Sequence, residues 1–356
     1  MTYFFEFNYR IISLILLAKS MSIEKTINVK NSPAIYGIGN PIVDIVFNVS
    51  DDEIKALGLK KGTMSLVSKN RQTEIVDFLE IENASVFPGG SAPNTIIACN
   101  GLGIPSVLSG KIGDDNFGER YLEQIKKYNV ISRVVQGNGS TGTSVVLITP
   151  DAERTMNTHL GMCREFNEKD IDEELLRNSS FLYFTGYMWD TESQKKAIQK
   201  AVKIAKASNL KICFDVADPF VVERNRGDFL EFITNNVDIV FANQPEISIL
   251  FKSTNIDDTI NKLMNIVKCG AVKLGKKGSI VFNNSNKSRI EPNLISAKDT
   301  TGAGDMYAAG FLSSFFKTHD YKASGIVGSV LAEEVVQING AQLSKNTMSE
   351  IRTKIF

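Results

Sequence analysis

The sequence predicts an α/β protein: a mostly parallel central sheet with helices on both faces. Three features carry that expectation. From about residue 178 onward, short continuous apolar runs alternate with segments of helical spacing, the pattern of strands buried on both sides. Glycines and polar residues recur where those strands end: Gly186, Asp215, Asp218, Asn243, Glu246, Gly275 and Gly278. Ligands of parallel sheets bind beyond the strand C-termini. Finally, 356 residues with 43% apolar content suffice for one large domain or two small ones.

In chain order, Ala34–Pro41 reads as a strand entering a glycine turn. Gly37-x-Gly39 suggests a dinucleotide fingerprint, but Ile42 stands where the third glycine belongs. The following Pro41–Val49 is β-branched, not helical. The glycines therefore suit close approach of backbone to a ligand. Asp44 is a carboxylate inside that apolar run, either a solvent-facing strand residue or an acceptor for vicinal hydroxyls. A short helix over 51–58, a strand at 64–67 and a helix over 71–81 follow. Pro88-Gly89-Gly90-Ser91-Ala92-Pro93-Asn94 then opens a helix of small residues, with Asn94 near its start. Strand 106–109 leads into a loop over 110–118 and a helix over 119–127. Strands 143–148 and 154–158 flank a turn at Pro150–Glu153. Arg154 on this hairpin is either a solvated residue or a phosphate clamp.

The regular part comes next. Strands are expected at 181–186, 211–215, 237–243 and 271–274, and helices at 191–208, 229–235, 244–251 and 256–267. The chain then reaches Asp299-Thr300-Thr301-Gly302-Ala303-Gly304-Asp305, which runs directly into the apolar Met306–Phe316. Two glycines rule out a helix interior for the first stretch, and the second reads as a buried helix. Gly302-Ala303-Gly304 thus falls at a helix N-terminus, where unpaired N–H groups and the macrodipole favour an anion. Asp305 is then either a first-turn capping carboxylate or a base set beside a phosphate site.

Composition narrows the partners. Lys plus Arg and Asp plus Glu both number 40, so no basic excess points to nucleic acid or an anionic membrane surface. The four cysteines form no CxxC pair, and the two histidines are His159 and His319, which argues against a zinc site. The thiols suit a reduced, cytoplasmic protein. Near the start, Ile11–Ala18 is too short for a membrane span and lacks the basic front of a signal peptide. Residues 1–20 read as an upstream extension, with a targeting segment as the alternative, and residues 1–32 as lying outside the fold.

These pieces resemble the ribokinase-like, PfkB-type carbohydrate kinase family, and within it the adenosine kinase branch and the bacterial sugar kinases near it. The residues that carry the resemblance are Asp299–Asp305, the glycine-rich Pro88–Asn94, Gly37–Asp44, Asn243-x-x-Glu246 and Gly275-x-x-Gly278. It covers roughly residues 33–345. It implies a ribokinase-like three-layer α/β/α domain over 33–350 with a small β-sheet lid from about 42–68 and 143–160. Asp305 would be the base, with the N–H groups of Gly302, Ala303 and Gly304 as an anion hole. Asn40, Asp44, Gly90 and Asn94 would hold the sugar hydroxyls. Asn243 and Glu246 would help position Mg²⁺, while Gly275 and Gly278 would border ATP. Asp299 and Thr301 would contribute to a monovalent-cation site for K⁺, and Arg154 would reach the phosphates from the lid.

Lys273-Leu274-Gly275 departs from the family, which often has Thr or Ser before that glycine. Tyr187, after Gly186, would contact a nucleobase or else belong to the core. The implied activity is ATP-dependent phosphorylation of a primary hydroxyl of a nucleoside, adenosine first. The alternatives are a free sugar as acceptor, or a non-catalytic nucleoside- or sugar-binding protein. The partner is a small molecule, not nucleic acid or membrane. Edges of the lid strands allow a monomer or a homodimer.

Overall fold

The computed structural model describes residues 32–356 apart from 152, 285 and 294. The expectations for residues 1–20 and for the rest of the N-terminal leader up to residue 31 fall outside the described residues. The strands are β1 (Ile35–Ile38), β2 (Ile42–Asn48), β3 (Met64–Leu66), β4 (Ser85–Gly89), β5 (Ser106–Gly113), β6 (Ile131–Gly137) and β7 (Gly142–Ile148). They continue as β8 (Arg154–His159), β9 (Phe181–Thr185), β10 (Lys211–Asp215), β11 (Ile239–Asn243), β12 (Cys269–Lys273), β13 (Ser279–Asn283) and β14 (Asn286–Ile290).

Nine strands form one sheet in the order β14-β13-β12-β11-β10-β9-β1-β5-β6. Only the β12–β13 and β13–β14 pairs are antiparallel. Alternate residues of the central strands feed two cores, as the two-residue period of a strand requires. Ile35, Phe181, Tyr183 and Phe241 pack under helices Ser91–Gly101, Ala303–Thr318 and Tyr321–Val335. Tyr36, Leu182, Phe184 and Val240 pack under helices Glu192–Ala207, Pro219–Asn236 and Ile256–Ile266. The result is the three-layer, ribokinase-like α/β/α architecture.

A second sheet has five strands in the order β3-β8-β7-β2-β4. Its Ile45, Phe47, Val145 and Leu147 bury against Ile54 and Leu57 of the segment after β2, and against Ile75 and Leu79 of helix Lys69–Leu79. The alternate residues of the same strands face the other way and line a cleft between the two sheets.

Some boundaries differ from the sequence expectation. The loop expected over 110–118 is instead the end of β5, which runs to Gly113, followed at once by helix Asn116–Lys127. Asp115 makes that junction possible, because its Oδ1 caps the helix through Gly118 N–H (3.0 Å) and accepts from Thr141 Oγ1 (2.6 Å). The helix expected at 229–235 begins at Pro219, behind an Asp218 N-cap. Strands β4, β6, β13 and β14 and helices Tyr321–Val335 and Lys345–Ile355 had no counterpart in the sequence reading. Among the described residues, no helix is long and apolar enough to cross a membrane.

Candidate active site

The helix Ala303–Thr318 starts from Gly302 in the left-handed region, at φ +75. A Cβ there would also lie 2.7 Å from Ala341 Cα, so both conformation and space demand glycine. Asp299 staples the turn from behind. Its Oδ1 accepts from Thr301 N–H (2.8 Å) and Thr301 Oγ1 (2.5 Å), and its Oδ2 from Gly340 N–H (2.9 Å). Arg154, from β8 of the smaller sheet, donates to Thr301 Oγ1 at 3.1 Å and so ties the smaller sheet to this turn. Ala303 N–H makes one long bond, 3.3 Å to Thr300 O, while Gly302 and Gly304 N–H have no partner among the described residues. The turn therefore presents donors to an anion.

In the first turn of the same helix, Asp305 faces the N-terminus of helix Ser91–Gly101. Its Oδ1 accepts from Ser91 Oγ (2.6 Å) and its Oδ2 from Asn94 Nδ2 (2.9 Å). Burial pushes the Asp305 carboxyl up to about 6; the hydrogen bonds from Ser91 and Asn94 and the nearby Lys273 ammonium pull it back, while Asp215 adds to the rise. Gln342 Nε2 donates to Asn94 Oδ1 (3.1 Å), which turns the Asn94 amide so that its NH₂ points at Asp305. Asn94 thus holds the carboxylate directly. Gly90, at φ +98, opens this helix where a Cβ would strike Asn40 O at 2.1 Å.

Another wall of the cleft lies against β2. Asp44 accepts no hydrogen bond among the described residues, and Gly89 lies so close that a Cβ there would strike its Oδ2 at 2.2 Å. Burial, then the Asp305 charge, push the Asp44 carboxyl up to about 7, opposed by Arg154. Such an unpaired carboxylate suits a pair of substrate hydroxyls. Asn40 Oδ1 accepts from Gln194 Nε2 at 2.6 Å, and Gln194, wholly buried, also donates to Cys163 O at 2.8 Å. Gln194 fixes the Asn40 carbonyl, leaving the amide NH₂ as the free face.

On the opposite side, β11 ends in a capping box. Asn243 Oδ1 accepts from Glu246 N–H (2.9 Å), and the Glu246 carboxylate takes Asn243 N–H (2.7 Å) and Nδ2 (2.6 Å). Burial raises the Glu246 carboxyl, and the Lys273 charge opposes it. Gly275 and Gly278 flank the tight turn after β12, at φ +58 and +80. Among the described residues, no three His, Cys, Asp or Glu side chains are grouped closely enough to hold a metal. With both Glu246 oxygens already engaged, the donor set suits a hydrated divalent ion carried by phosphates, as Mg²⁺ prefers, more than a protein cage.

A single cleft of about 650 Å³ joins these parts. It is lined by Asn40, Asp44, Gly90 and Asn94, by Arg154 from the smaller sheet and by Tyr187 from the turn after β9. Asn243, Glu246, Gly275 and Gly278 also line it, with Thr301, Gly302, Ala303, Gly304 and Asp305. Of the residues to which the family resemblance gave a site role, Asp299 does not line it, and neither do Gly37, Gly39 and Gly186, which the sequence pattern singled out. The sequence reading passed over four residues that build the site: Ser91, Gln194 and Gln342, whose hydrogen bonds fix other side chains, and Lys273. Ser91 appeared only as a member of the glycine-rich Pro88–Asn94 stretch and Lys273 only as a departure from the family pattern.

A sheet with a cleft at its strand ends, two facing helix N-termini and a carboxylate between them define a phosphotransferase with an alcohol acceptor. The chain belongs to the pfkB family of carbohydrate kinases, whose profile matches residues 54–348. The structure is similar to that of adenosine kinase from Sinorhizobium meliloti, with a TM-score of 0.85 at 32% identity, covering 90% of this chain and 99% of that one. A probable sugar kinase from Rhizobium etli CFN 42 gives a TM-score of 0.86 at 27% identity, over 91% and 99%. Adenosine kinase from Saccharomyces cerevisiae is 27% identical over 335 residues, 88% of this chain and 97% of that protein. Membership implies ATP and a divalent metal, and an acceptor that is a nucleoside or a sugar.

Proposed function

We propose that the protein transfers the terminal phosphoryl group of ATP to the primary hydroxyl of a ribose-containing nucleoside, adenosine at its 5′ position. The observation that carries this choice is the apolar wall beside Asp44 and Asn40. Ile42, Met64, Leu66, Met156 and Leu160 line the cleft there, with Tyr187 opposite the small sheet. Leu66 is 42% exposed in that wall. A free sugar offers hydroxyls on every side and gives such a surface nothing to bury, whereas a purine offers two apolar faces.

The chemistry is positioning and charge neutralisation. Asp44 and the Asn40 amide hold the ribose hydroxyls. Asp305 accepts the proton of the attacking hydroxyl, oriented by Ser91 and Asn94. The N–H groups of Gly302 and Gly304, with Ala303 between them, meet the charge on the phosphoryl oxygens. Arg154 adds a cation from the smaller sheet. Bound Mg²⁺ would supply charge neutralisation at the phosphates, and Asn243 and Glu246 would help to hold it. Asp299 and Thr301 would supply oxygens to a K⁺ ion behind the turn. Gly275 and Gly278 border the nucleotide.

ATP-dependent phosphorylation across adenosine, other nucleosides, ribose and fructose tests this reading. Adenosine should be turned over with the highest kcat/KM. Turnover of a free sugar with none of adenosine would make the protein a sugar kinase instead.

A further inference from the structure

Lys273 ends β12, and its ammonium stands at the mouth of the anion hole. Nζ lies 3.0 Å from Asp215 Oδ2 and 3.2 Å from the point a Cβ on Gly304 would occupy. The absent side chain of Gly304 is therefore the gap through which the ammonium reaches the first turn of helix Ala303–Thr318. The Lys273 side chain is only 17% exposed, and it lines the cleft. Asp215 occupies one of its three N–H donors, and the ammonium makes no other hydrogen bond among the described residues. Two donors of a largely buried cation are left over. Unpaired donors in such a place are costly, and an anion seated on the neighbouring Gly302 and Gly304 N–H groups would satisfy them. Burial works against the charge on Lys273, but Asp215, Glu246 and Asp305 together outweigh it, and the ammonium stays protonated.

We propose that Lys273 is a catalytic residue whose ammonium donates to an oxygen of the transferring γ-phosphoryl group. The inference rests on ATP binding with its terminal phosphate at Gly302–Gly304. In the transfer, the acceptor oxygen forms the new O–P bond and its proton passes to Asp305. The bond from phosphorus to the β,γ-bridging oxygen breaks, and ADP leaves with that electron pair. Lys273 keeps its own protons and answers the charge on the non-bridging oxygens, the task a P-loop lysine performs in other folds. This chain has no GxxxxGK[ST] stretch.

The competing role is purely structural, with Lys273 only neutralising Asp215. Calorimetric titration of the full chain with ADP and with the β,γ-imido analogue of ATP separates the two. Lys273→Met should lower affinity for the analogue roughly 10- to 100-fold, the worth of one charge-assisted hydrogen bond, and leave ADP affinity nearly unchanged. Lys273→Gln, whose amide can still pair with Asp215, should show the same selective loss if the methionine variant folds poorly. Lys273→Met should also lose turnover, and the double variant Lys273→Met/Asp215→Asn, which removes both charges, should not regain it. Equal losses for both nucleotides, or turnover restored in the double variant, would overturn the proposal. Wild-type protein that binds neither nucleotide would overturn the kinase reading with it, whereas a wild-type preference for the analogue that survives in the variants overturns the role of Lys273 alone.

Discussion

At the scale of single residues, Asp305 is balanced between burial, which disfavours its charge, and two hydrogen bonds that favour it. With its carboxyl pushed up to about 6 and that of Asp44 to about 7, the acid limb of kcat/KM should fall between about pH 6 and 7 in the wild type. Ser91→Ala removes the 2.6 Å bond to the charged form, so the acid limb should move to higher pH while the alkaline side stays in place. Asp305→Asn should lower kcat by about 10²–10⁴-fold and leave nucleoside binding intact. A Ser91→Ala profile that coincides with the wild type would show that Asp305 is not the group titrating. Asp305 and its glycines were legible in the sequence because glycines and a carboxylate before an apolar helix admit few physical explanations. Lys273 was not, because a lysine at a strand end looks like any solvated lysine until its partner is known. That partner, Asp215, is 58 residues away in the chain.

Elements show a similar division between what local pattern reveals and what only packing reveals. The central strands β9 to β12 were legible because they are apolar on both faces. Strands β6 and β14 lie at the edges of the large sheet, and residues such as Arg133, Gln136, Lys287 and Arg289 break the apolar pattern. Strand β4 holds Pro88 and Gly89, which a sheet edge tolerates but which read as a turn. Helix Tyr321–Val335 carries Gly325 and Gly328, normally a sign against helix. A Cβ on Gly328 would lie 2.8 Å from Tyr307 O, and one on Gly310 would lie 2.7 Å from Val327 O. Those glycines let two helices meet backbone to backbone, a requirement no local pattern announces. The anion-hole turn yields a prediction of the same kind. Gly302→Ala meets both a strained φ and the Ala341 backbone, whereas Gly275→Ala meets strain alone, with nothing within 4 Å of the added Cβ. Gly275→Ala should cost about 1–2 kcal/mol of stability. Gly302→Ala should cost more and abolish turnover, because the N–H groups at the hole must shift. Denaturant melts and steady-state rates on the two variants check this, and equal effects would place the constraint in the backbone angle alone.

For the whole molecule, the cleft concentrates carboxylates that the fold would rather keep neutral. Asp44 is pushed up to about 7 and Asp305 and Asp190 to about 6, with Glu246 also raised, in each case chiefly by burial. A raised folded pKa means stability fully present below the unfolded value near 4 and lost as pH rises through the folded value. These four groups therefore make the ligand-free protein lose stability between about pH 4 and 8. His159 works in the other direction, because burial lowers its pKa and protonation below about 6.5 opposes folding. Carboxylates such as Asp115 and Asp172, held low in the folded state by hydrogen bonds, act only in more acid solution. The balance puts the highest melting temperature of the ligand-free protein below about pH 5, with a decline toward pH 8. Asp305→Asn removes one of the raised groups, so its melting temperature at pH 8 should exceed that of the wild type, and the two should converge as the pH falls. Scanning fluorimetry of both proteins from pH 5 to 8.5 reads the sign directly. A wild-type melting temperature that climbs toward pH 8.5 would mean that the cleft carboxylates are not the strained groups, and that another part of the fold sets its pH dependence.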